Sequence, residues 1–521
     1  MWSLELSKSD EATKIRWECV PYFHGRILDI GCGEYKAFPH WIGVDNGKMW
    51  GKRNVDAPIE DAMSLDLFAG QSCDGVFSSH LLEHLKYEHI AGTQKEWCRV
   101  IRPGGHLMLY LPAEDLYPKV GEKGANPDHK WNVNYDKVVA AMEQVNRGWD
   151  LVDFQKRSDS DEYSLWFVFK MTNKRGHEFS YCKPKPAKTC AVVRYGAFGD
   201  CIQASSILPW LKSQGYHITF YCSDHGYPVI KHDPHIDKFI IQGKDEVPPQ
   251  FLGEFWQYAS KKYDKWVNLS ESVEVSLLAA PGHTNHEWPN SVRAKYMDVN
   301  YLEFTHEIAE VPPPYLPKFY STLEERAWAR KQANNFGKRN ILWSLSGSSP
   351  HKTWPHLDAV IASIMLAYND VHIVLVGDEL SQILEQGWQK EPRVHCRSGK
   401  WSIRESMAFA EVADLIIGTE TGLLNAAGMM DTPKIVTLSH SSPHMLTKWW
   451  RNVTNLVQPE GVGCPKSPCR QMHWTWEHCM KYETENTVAA VCQQEITPSM
   501  MWQAVMGVLG EPQRKIHGDI R

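Results

Sequence analysis

Short apolar runs that read as buried strands alternate with helical patterns through most of this chain. This alternation limits the fold more than any other feature, because it calls for parallel sheets covered by helices, an α/β architecture. Three series are separable. The first fills residues 1–173 and closes with two β-rich runs, WDLVDFQKR and YSLWFVFKM. Residues 174–188, KRGHEFSYCKPKPAK, are basic and contain proline, and they read as a linker. The second series, 189–318, starts at TCAVVRYG and fades near EVPPPYLPKFY. That proline cluster suits neither a helix interior nor a central strand, so it marks a boundary. The third, 319–521, has its first strand in RNILWSLSG, residues 339–347. Two α/β halves of similar size joined by a proline-rich connector predict a pair of lobes around a cleft.

Bulk properties narrow the function. The chain has 521 residues, which suggests about three domains. Its 56 basic and 62 acidic side chains give a net charge of −6 with no long basic run. That balance argues against a nucleic-acid partner, which needs a concentrated basic surface. The opening MWSLELSKSDEATKIRWE is charged and lacks the apolar core of a signal peptide. No uncharged apolar stretch has the length of a transmembrane helix. Thirteen scattered cysteines fit a reducing cytoplasm.

In the first series, RILDIGCGEYKAFPHWIGVDN places a buried strand at Ile27 to Ile30, with Asp29 in it, before a tight turn at Gly31-Cys32-Gly33. The next strand ends in Asp45, where a carboxylate can bind ribose hydroxyls. Asp61 and Ala62 follow a third strand. CDGVFSSHLLEHL brings Ser79 and His80 to the end of a fourth, and KEWCRVIRPGGHLMLYLP reads as helix, Pro-Gly-Gly turn and strand. Together these motifs resemble the class I S-adenosylmethionine-dependent methyltransferases over about residues 20–172. The resemblance implies a Rossmann-like domain that binds S-adenosylmethionine through Asp29, Gly31, Gly33, Asp45, Asp61, Ala62, Ser79 and His80. One departure stands out. Only eleven residues separate Gly33 from Asp45, so the first helix must be very short. Positioning supplies most of the catalysis in methyl transfer. A base is needed only for a hydroxyl acceptor, and His84 and His129 are candidates.

The second series opens with VVRYGAFGDCIQASSILPWLK, a strand, a glycine turn and an amphipathic helix, with Asp200 closing the turn. Asp200 has two readings: it caps the helix, or it is a general base for a hydroxyl nucleophile. In the third series, SGSSPHKTWP offers Ser346 and Ser348 as donors to a diphosphate and Lys352 as a charge for it. VHIVLVGDE is a further strand ending in Asp378-Glu379, carboxylates suited to a ribose, and GTETGLLNAAGMMDTP forms a turn opening a helix. The ordered set resembles glycosyltransferase family 9, whose best-known members are the ADP-heptose:lipopolysaccharide heptosyltransferases, over about residues 188–510. It implies a GT-B fold of two Rossmann-like lobes and an inverting transfer to a glycan hydroxyl. Asp200 is then the base on the acceptor lobe, and Lys352 contacts the diphosphate. Ser346, Ser348, Glu379, Glu420, Thr421, Gly422, Leu423 and Asn425 line the nucleotide-sugar site. The family's turn usually carries Asp and His where this chain has Glu420 and Asn425.

Cys464, Cys469, Cys479 and Cys492, with His473 and His478 nearby, are spaced by four, nine and twelve residues, which matches no standard zinc finger. No metal is expected. The expected cofactors are S-adenosylmethionine and, as co-substrate, a nucleotide-diphosphate sugar with ADP favoured. The expected partner is a glycan or lipopolysaccharide-like acceptor, which allows peripheral membrane contact if it is lipid-linked. Two rival readings are a glycan-binding scaffold with decayed enzyme folds, and glycosylation or methylation of a nucleic-acid base.

Overall fold

The computed structural model describes residues 11–48, 54–159, 161–182, 186–243, 246–270, 276–473, 479, 481–483 and 488–512. The chain divides into two compact units: Met1–Ala187 with Ile240–Lys262, and Lys188–Phe239 with Tyr263–Arg521. Among the described residues no helix is long and apolar enough to cross a membrane.

The first unit is built on strands β1 (Ile27–Ile30), β2 (Ile42–Asp45), β3 (Ala57–Pro58), β4 (Cys73–Ser79), β5 (Ile101–Pro112), β6 (Trp149–Arg157), β7 (Ser164–Met171) and β8 (His177–Glu178). They form one sheet in the order β3-β2-β1-β4-β5-β7-β6-β8. Strands β1 to β5 pair in parallel, and β7 runs antiparallel to both β5 and β6. β1 is buried at all four positions, as expected of a parallel strand covered on both faces. Helix α1 (Glu11–Cys19) precedes the sheet, and α2 (Tyr87–Val100) crosses from β4 to β5. Helix α2 turns Ile90, Thr93, Gln94, Trp97 and Cys98 inward at helical spacing onto a core that includes Leu28, Val76, Leu107 and Phe167.

Local structure departs from the sequence pattern at three points. Between β1 and β2 there is no short helix; residues 31–41 are turns. Side chains do the work of a helix here. Asp29 accepts the Ala37 N–H at 2.8 Å, and Lys36 donates to the Trp41 carbonyl at 2.8 Å. Second, Pro103-Gly104-Gly105 does not separate a helix from a strand. It lies inside β5 as a bulge: Cys73 pairs with Ile101, whereas Gly75 pairs with His106. Gly104 has φ +87°, open to glycine at little cost. Third, part of the basic stretch after residue 174 adds β8 to the sheet edge, where His177 stacks on Trp149 with ring centroids 4.7 Å apart.

The first unit also takes in a helix from much later in the chain, Leu252–Ser260. Its Phe255 ring lies 5.9 Å from Trp17 on α1. Glu18, only 5% exposed, meets Arg157 at 3.1 Å and receives hydrogen bonds from Tyr258 and Lys262. Burial alone would raise the Glu18 pKa, but Lys262, Tyr258 and Arg157 hold it below the usual carboxylate range.

The second unit contains two sheets. The first comprises β9 (Thr189–Arg194), β10 (His217–Ser223), β12 (Lys265–Asn268) and the opening residues of β11 (Lys238–Gln242), whose end falls in the first unit, in the order β11-β10-β9-β12. Strands β10 and β12 flank β9 in parallel. The second comprises β13 (Arg339–Ser344), β14 (Val371–Val376), β15 (Val394–Cys396), β16 (Leu415–Thr419), β17 (Lys434–Thr437) and β18 (Val453–Leu456). Its order is β15-β14-β13-β16-β17-β18, parallel throughout. After β9 the expected single helix is broken: α3 (Phe198–Ala204) gives way to a 3₁₀ turn, Ser205–Ile207, and a second helix, Leu208–Ser213. Pro209 lacks the N–H that a continuous helix would use and sits in the first turn of the second helix instead.

Candidate functional sites

The turn after β9 gathers charge around Asp200. Its Oδ1 lies 2.8 Å from Arg194 Nη2 and accepts a hydrogen bond from the Tyr301 hydroxyl. Its Oδ2 accepts the Ala197 N–H at 2.7 Å, and Ala197 is the N-cap residue of α3. One oxygen ties the helix start, and the other faces Arg194 and Tyr301. A carboxylate offers about four acceptor positions. These three bonds leave room for one more donor. Burial would raise the Asp200 pKa, but Arg194 and the hydrogen bonds from Tyr301 and Ala197 keep it below the usual range. Tyr301 starts helix α4 (Tyr301–Ala309), 101 residues downstream, and no local pattern announced it.

In the same unit, the loops at the ends of β13 and β16 bring the other expected residues together. Lys352 is 7% exposed; its Nζ donates to the Glu420 carbonyl at 3.1 Å and lies 3.5 Å from Ser348 Oγ. Burial pushes the ammonium down from its usual range, while the charges of Glu420 and Asp200 act the other way. Helix α5 (Gly422–Ala427) starts at Thr421, whose hydroxyl accepts the Leu424 N–H at 3.4 Å. The Leu423 side chain is buried, so what it offers a ligand is its backbone. Ser346 Oγ meets Ser381 Oγ at 2.7 Å, and Ser381 in turn binds Asp378. Ser348 and Glu379 are exposed at the loop ends.

The Glu420 side chain is occupied elsewhere. It accepts the N–H groups of Ser439 at 3.1 Å and Ser441 at 2.9 Å, and it lies 2.8 Å from His440 Nδ1. His440 continues to His351 at 3.2 Å. The glutamate therefore fastens the loop after β17 to the β16 turn and holds its own carbonyl toward Lys352. This His440–His351 extension was not foreseen from the sequence; the adjacency of His351 to Lys352 was the available clue.

Two glycines bring the turns of α3 and α5 close together. A Cβ on Gly422 would sit 2.6 Å from Phe198 Cβ and 3.1 Å from the Gly199 nitrogen. A Cβ on Gly199 would sit 2.6 Å from Asn425 Nδ2. Asn425 also accepts from Gln203 Nε2 at 2.8 Å. Gly422→Ala is expected to cost about 1–3 kcal/mol through overpacking. A lower thermal midpoint for the second unit would show it, and an unchanged midpoint would mean that the turns are not packed this tightly.

In the first unit, Gly31 and Gly33 have φ +75° and +54°, which keeps side chains out of the turn after β1. Asp45 accepts from the Gly33 N–H at 3.2 Å and the Gly47 N–H at 2.8 Å, which ties the β1 and β2 ends together and leaves acceptor capacity for hydroxyls. The Ser79 hydroxyl is buried without a hydrogen-bond partner at the end of β4, an orphan that a ligand in this turn would satisfy. Asp29 is spent on Ala37, and Asp61 is exposed and accepts from Met63. The Ala62 carbonyl takes the Trp97 indole N–H. His80 Nε2 lies 2.9 Å from Ser164 Oγ, and burial pushes its pKa down to about 3. These residues fit a bound S-adenosylmethionine best at the Gly31–Gly33 turn, Asp45 and Ser79.

Cys464 and Cys492 are buried and pack with Cys479, and Cys469 Sγ lies 3.7 Å from His473. His478 lies outside the described residues.

Comparison with known proteins finds two family matches. Residues 28–109 match the model of the methyltransferase domain, and residues 260–476 match that of glycosyltransferase family 9 (heptosyltransferase). The second match begins after Asp200. Lipopolysaccharide heptosyltransferase 1 of Campylobacter coli is 21% identical over 312 residues, covering 51% of this chain and 88% of that protein. A solved glycosyltransferase family 9 protein from Veillonella parvula is similar at 15% identity and TM-score 0.47, covering 63% of this chain and 98% of its own. An S-adenosylmethionine-dependent methyltransferase structure from Archaeoglobus fulgidus is similar at 18% identity and TM-score 0.24, covering 30% and 92%. The fold is α/β, a Rossmann-like methyltransferase domain followed by a two-lobed GT-B glycosyltransferase.

Proposed function

We propose, for a chain that joins a methyltransferase domain to a glycosyltransferase family 9 domain, that the two decorate one class of acceptor: a glycan of the lipopolysaccharide type. The donor we assign is a nucleotide-diphosphate sugar, ADP-linked by analogy with the resembled family. The observation that carries the reading is the convergence, in one unit, of a carboxylate with a free acceptor position and a buried ammonium. Asp200 would take the proton of an acceptor hydroxyl as its oxygen bonds to the anomeric carbon. The bond from that carbon to the diphosphate breaks in the same displacement, with inversion. Lys352 and the Thr421–Leu423 turn would stabilise the departing charge. Arg194 and Tyr301 act through Asp200, fixing its ionisation and direction. We assign the reaction to the cytoplasm, a reading supported by the free thiols of the described cysteines.

The test is release of nucleoside diphosphate from a panel of sugar nucleotides, ADP-heptose included, with and without glycan acceptors. Acceptor-dependent release from one donor supports the reading. No release, together with no nucleotide binding by folded protein, would replace it with a scaffold role.

In the first unit, S-adenosylmethionine supplies an electrophilic methyl group when bound. The chain's part is to seat it and exclude water: the Gly31–Gly33 turn admits it to the backbone, and Asp45 and Ser79 offer hydrogen bonds. Asp45→Ala removes a charged acceptor, worth about 1.5–3 kcal/mol. Calorimetry is expected to show about ten- to hundredfold weaker S-adenosylmethionine binding, and unchanged affinity would remove Asp45 from the site.

A further inference from the structure

Beyond β4 the chain makes one 3₁₀ turn, Leu82–His84, that the methyl-donor site does not use. Glu83 on this turn is completely buried, yet neither of its carboxylate oxygens has a hydrogen-bond partner. Leaving such a group unsatisfied is costly. Its neighbours are imidazoles. His129 Nε2 lies 3.8 Å from Glu83 Oε1, and His80 Nδ1 lies 3.5 Å from the same oxygen. The His84 and His129 rings sit 5.0 Å apart, almost perpendicular at 88°. One ligand atom each from Glu83, His84 and His129 falls within a 4.8 Å cluster.

The arrangement is held in place by backbone. The Lys130 N–H donates to the Glu83 carbonyl at 2.7 Å, and the Trp131 indole donates to the Leu82 carbonyl at 3.0 Å. These bonds fix the loop bearing His129 against the turn bearing Glu83 and His84, so the donor atoms are preorganised. Tyr117 packs its ring 5.3 Å from His129 and 5.0 Å from Tyr163, which gives the cluster an aromatic wall.

We propose that Glu83, His84 and His129 bind a divalent transition-metal ion of the zinc class. Two imidazoles and one carboxylate are a familiar donor set for such ions, and three protein ligands leave a coordination position open, as in catalytic sites. One cation would satisfy the orphaned carboxylate and both rings. The turn follows the carboxyl end of β4, the side of a parallel sheet where ligands bind. The open position then suits an oxygen of a hydroxylated methyl acceptor. That last clause rests on the methyl-transfer reading; the metal site does not.

The test uses the full chain, stripped with chelator and titrated with Co²⁺. Wild type is expected to bind one equivalent with visible d–d bands and without a sulfur charge-transfer band, which separates this site from the cysteines. His84→Asn and His129→Gln should each weaken that binding at least tenfold, since even outer-shell partners of a metal are worth about 10–100-fold. Cys469→Ser should leave it unchanged. His84 is half-buried, so its variant keeps the test usable if Glu83→Gln does not fold. Absence of the bands, or equal affinity in both folded histidine variants, overturns the proposal. S-adenosylmethionine binding by the same samples separates the two failures. If it is intact without a metal site, only this inference falls; if it is absent with the metal site present, only the methyl-transfer reading falls.

Discussion

Asp200→Asn is expected to lower sugar transfer by about 10²–10⁴-fold while leaving nucleotide binding near its wild-type level. The amide keeps the shape of the side chain but cannot take the acceptor's proton. The Arg194–Asp200 ion pair is lost at the same time. The pH profile gives a second view. The folded Asp200 pKa is held down, so the working, ionised form persists through neutral pH. Activity should be flat there and should fall only when pH drops through that depressed value, below the ordinary aspartate pKa of about 3.9. Single-turnover release of nucleoside diphosphate measures both effects. A variant that turns over at the wild-type rate would leave Asp200 with its capping role alone, through the bond to Ala197.

Lys352→Ala should be the next most damaging change, with kcat reduced by about 10²–10³-fold. The ammonium is buried and aimed by the Glu420 carbonyl, so its charge is little screened where a diphosphate would leave. The expected split is a large fall in kcat with a smaller change in donor affinity, because the charge matters most as the leaving group develops its own. Comparison of kcat with the dissociation constant of the bare nucleoside diphosphate checks this. A wild-type kcat in Lys352→Ala would move the charge-stabilising role elsewhere.

Much of the scaffold was legible because it is local. Buried parallel strands such as ILDI and ILWS read as continuous apolar runs, and the Gly31 and Gly33 turn announces itself by residue type. The sequence also pointed to Lys352 and Thr421 as neighbours of one site, and both lie beside Glu420. What escaped depends on distant partners. Tyr301 lies 101 residues from Asp200 and reaches it only through the fold. Glu420 was read as a ligand contact, yet its side chain binds Ser439, His440 and Ser441, residues that a turn motif cannot reveal. The Pro-Gly-Gly run looked like a stop between elements and is instead a bulge inside β5, since glycine signals an unusual backbone without saying whether pairing resumes. The packing of Leu252–Ser260 with the first unit has no compositional mark either, because a helix shows which face is apolar but not where its partner lies.

That late helix bears on how the protein is made. Synthesis runs from the N-terminus, and an ordinary leading domain can finish folding while the rest is still being translated. Here Trp17 and Glu18 must wait for Phe255, Tyr258 and Lys262. A nascent chain that has emerged only as far as Ala187 carries the sheet but holds the Glu18 carboxylate with Arg157 as its sole basic partner among these. The methyltransferase unit therefore completes itself only after a good part of the glycosyltransferase has left the ribosome, and a gene cut between the two would separate the first product from a piece of its own architecture and leave that piece on the second.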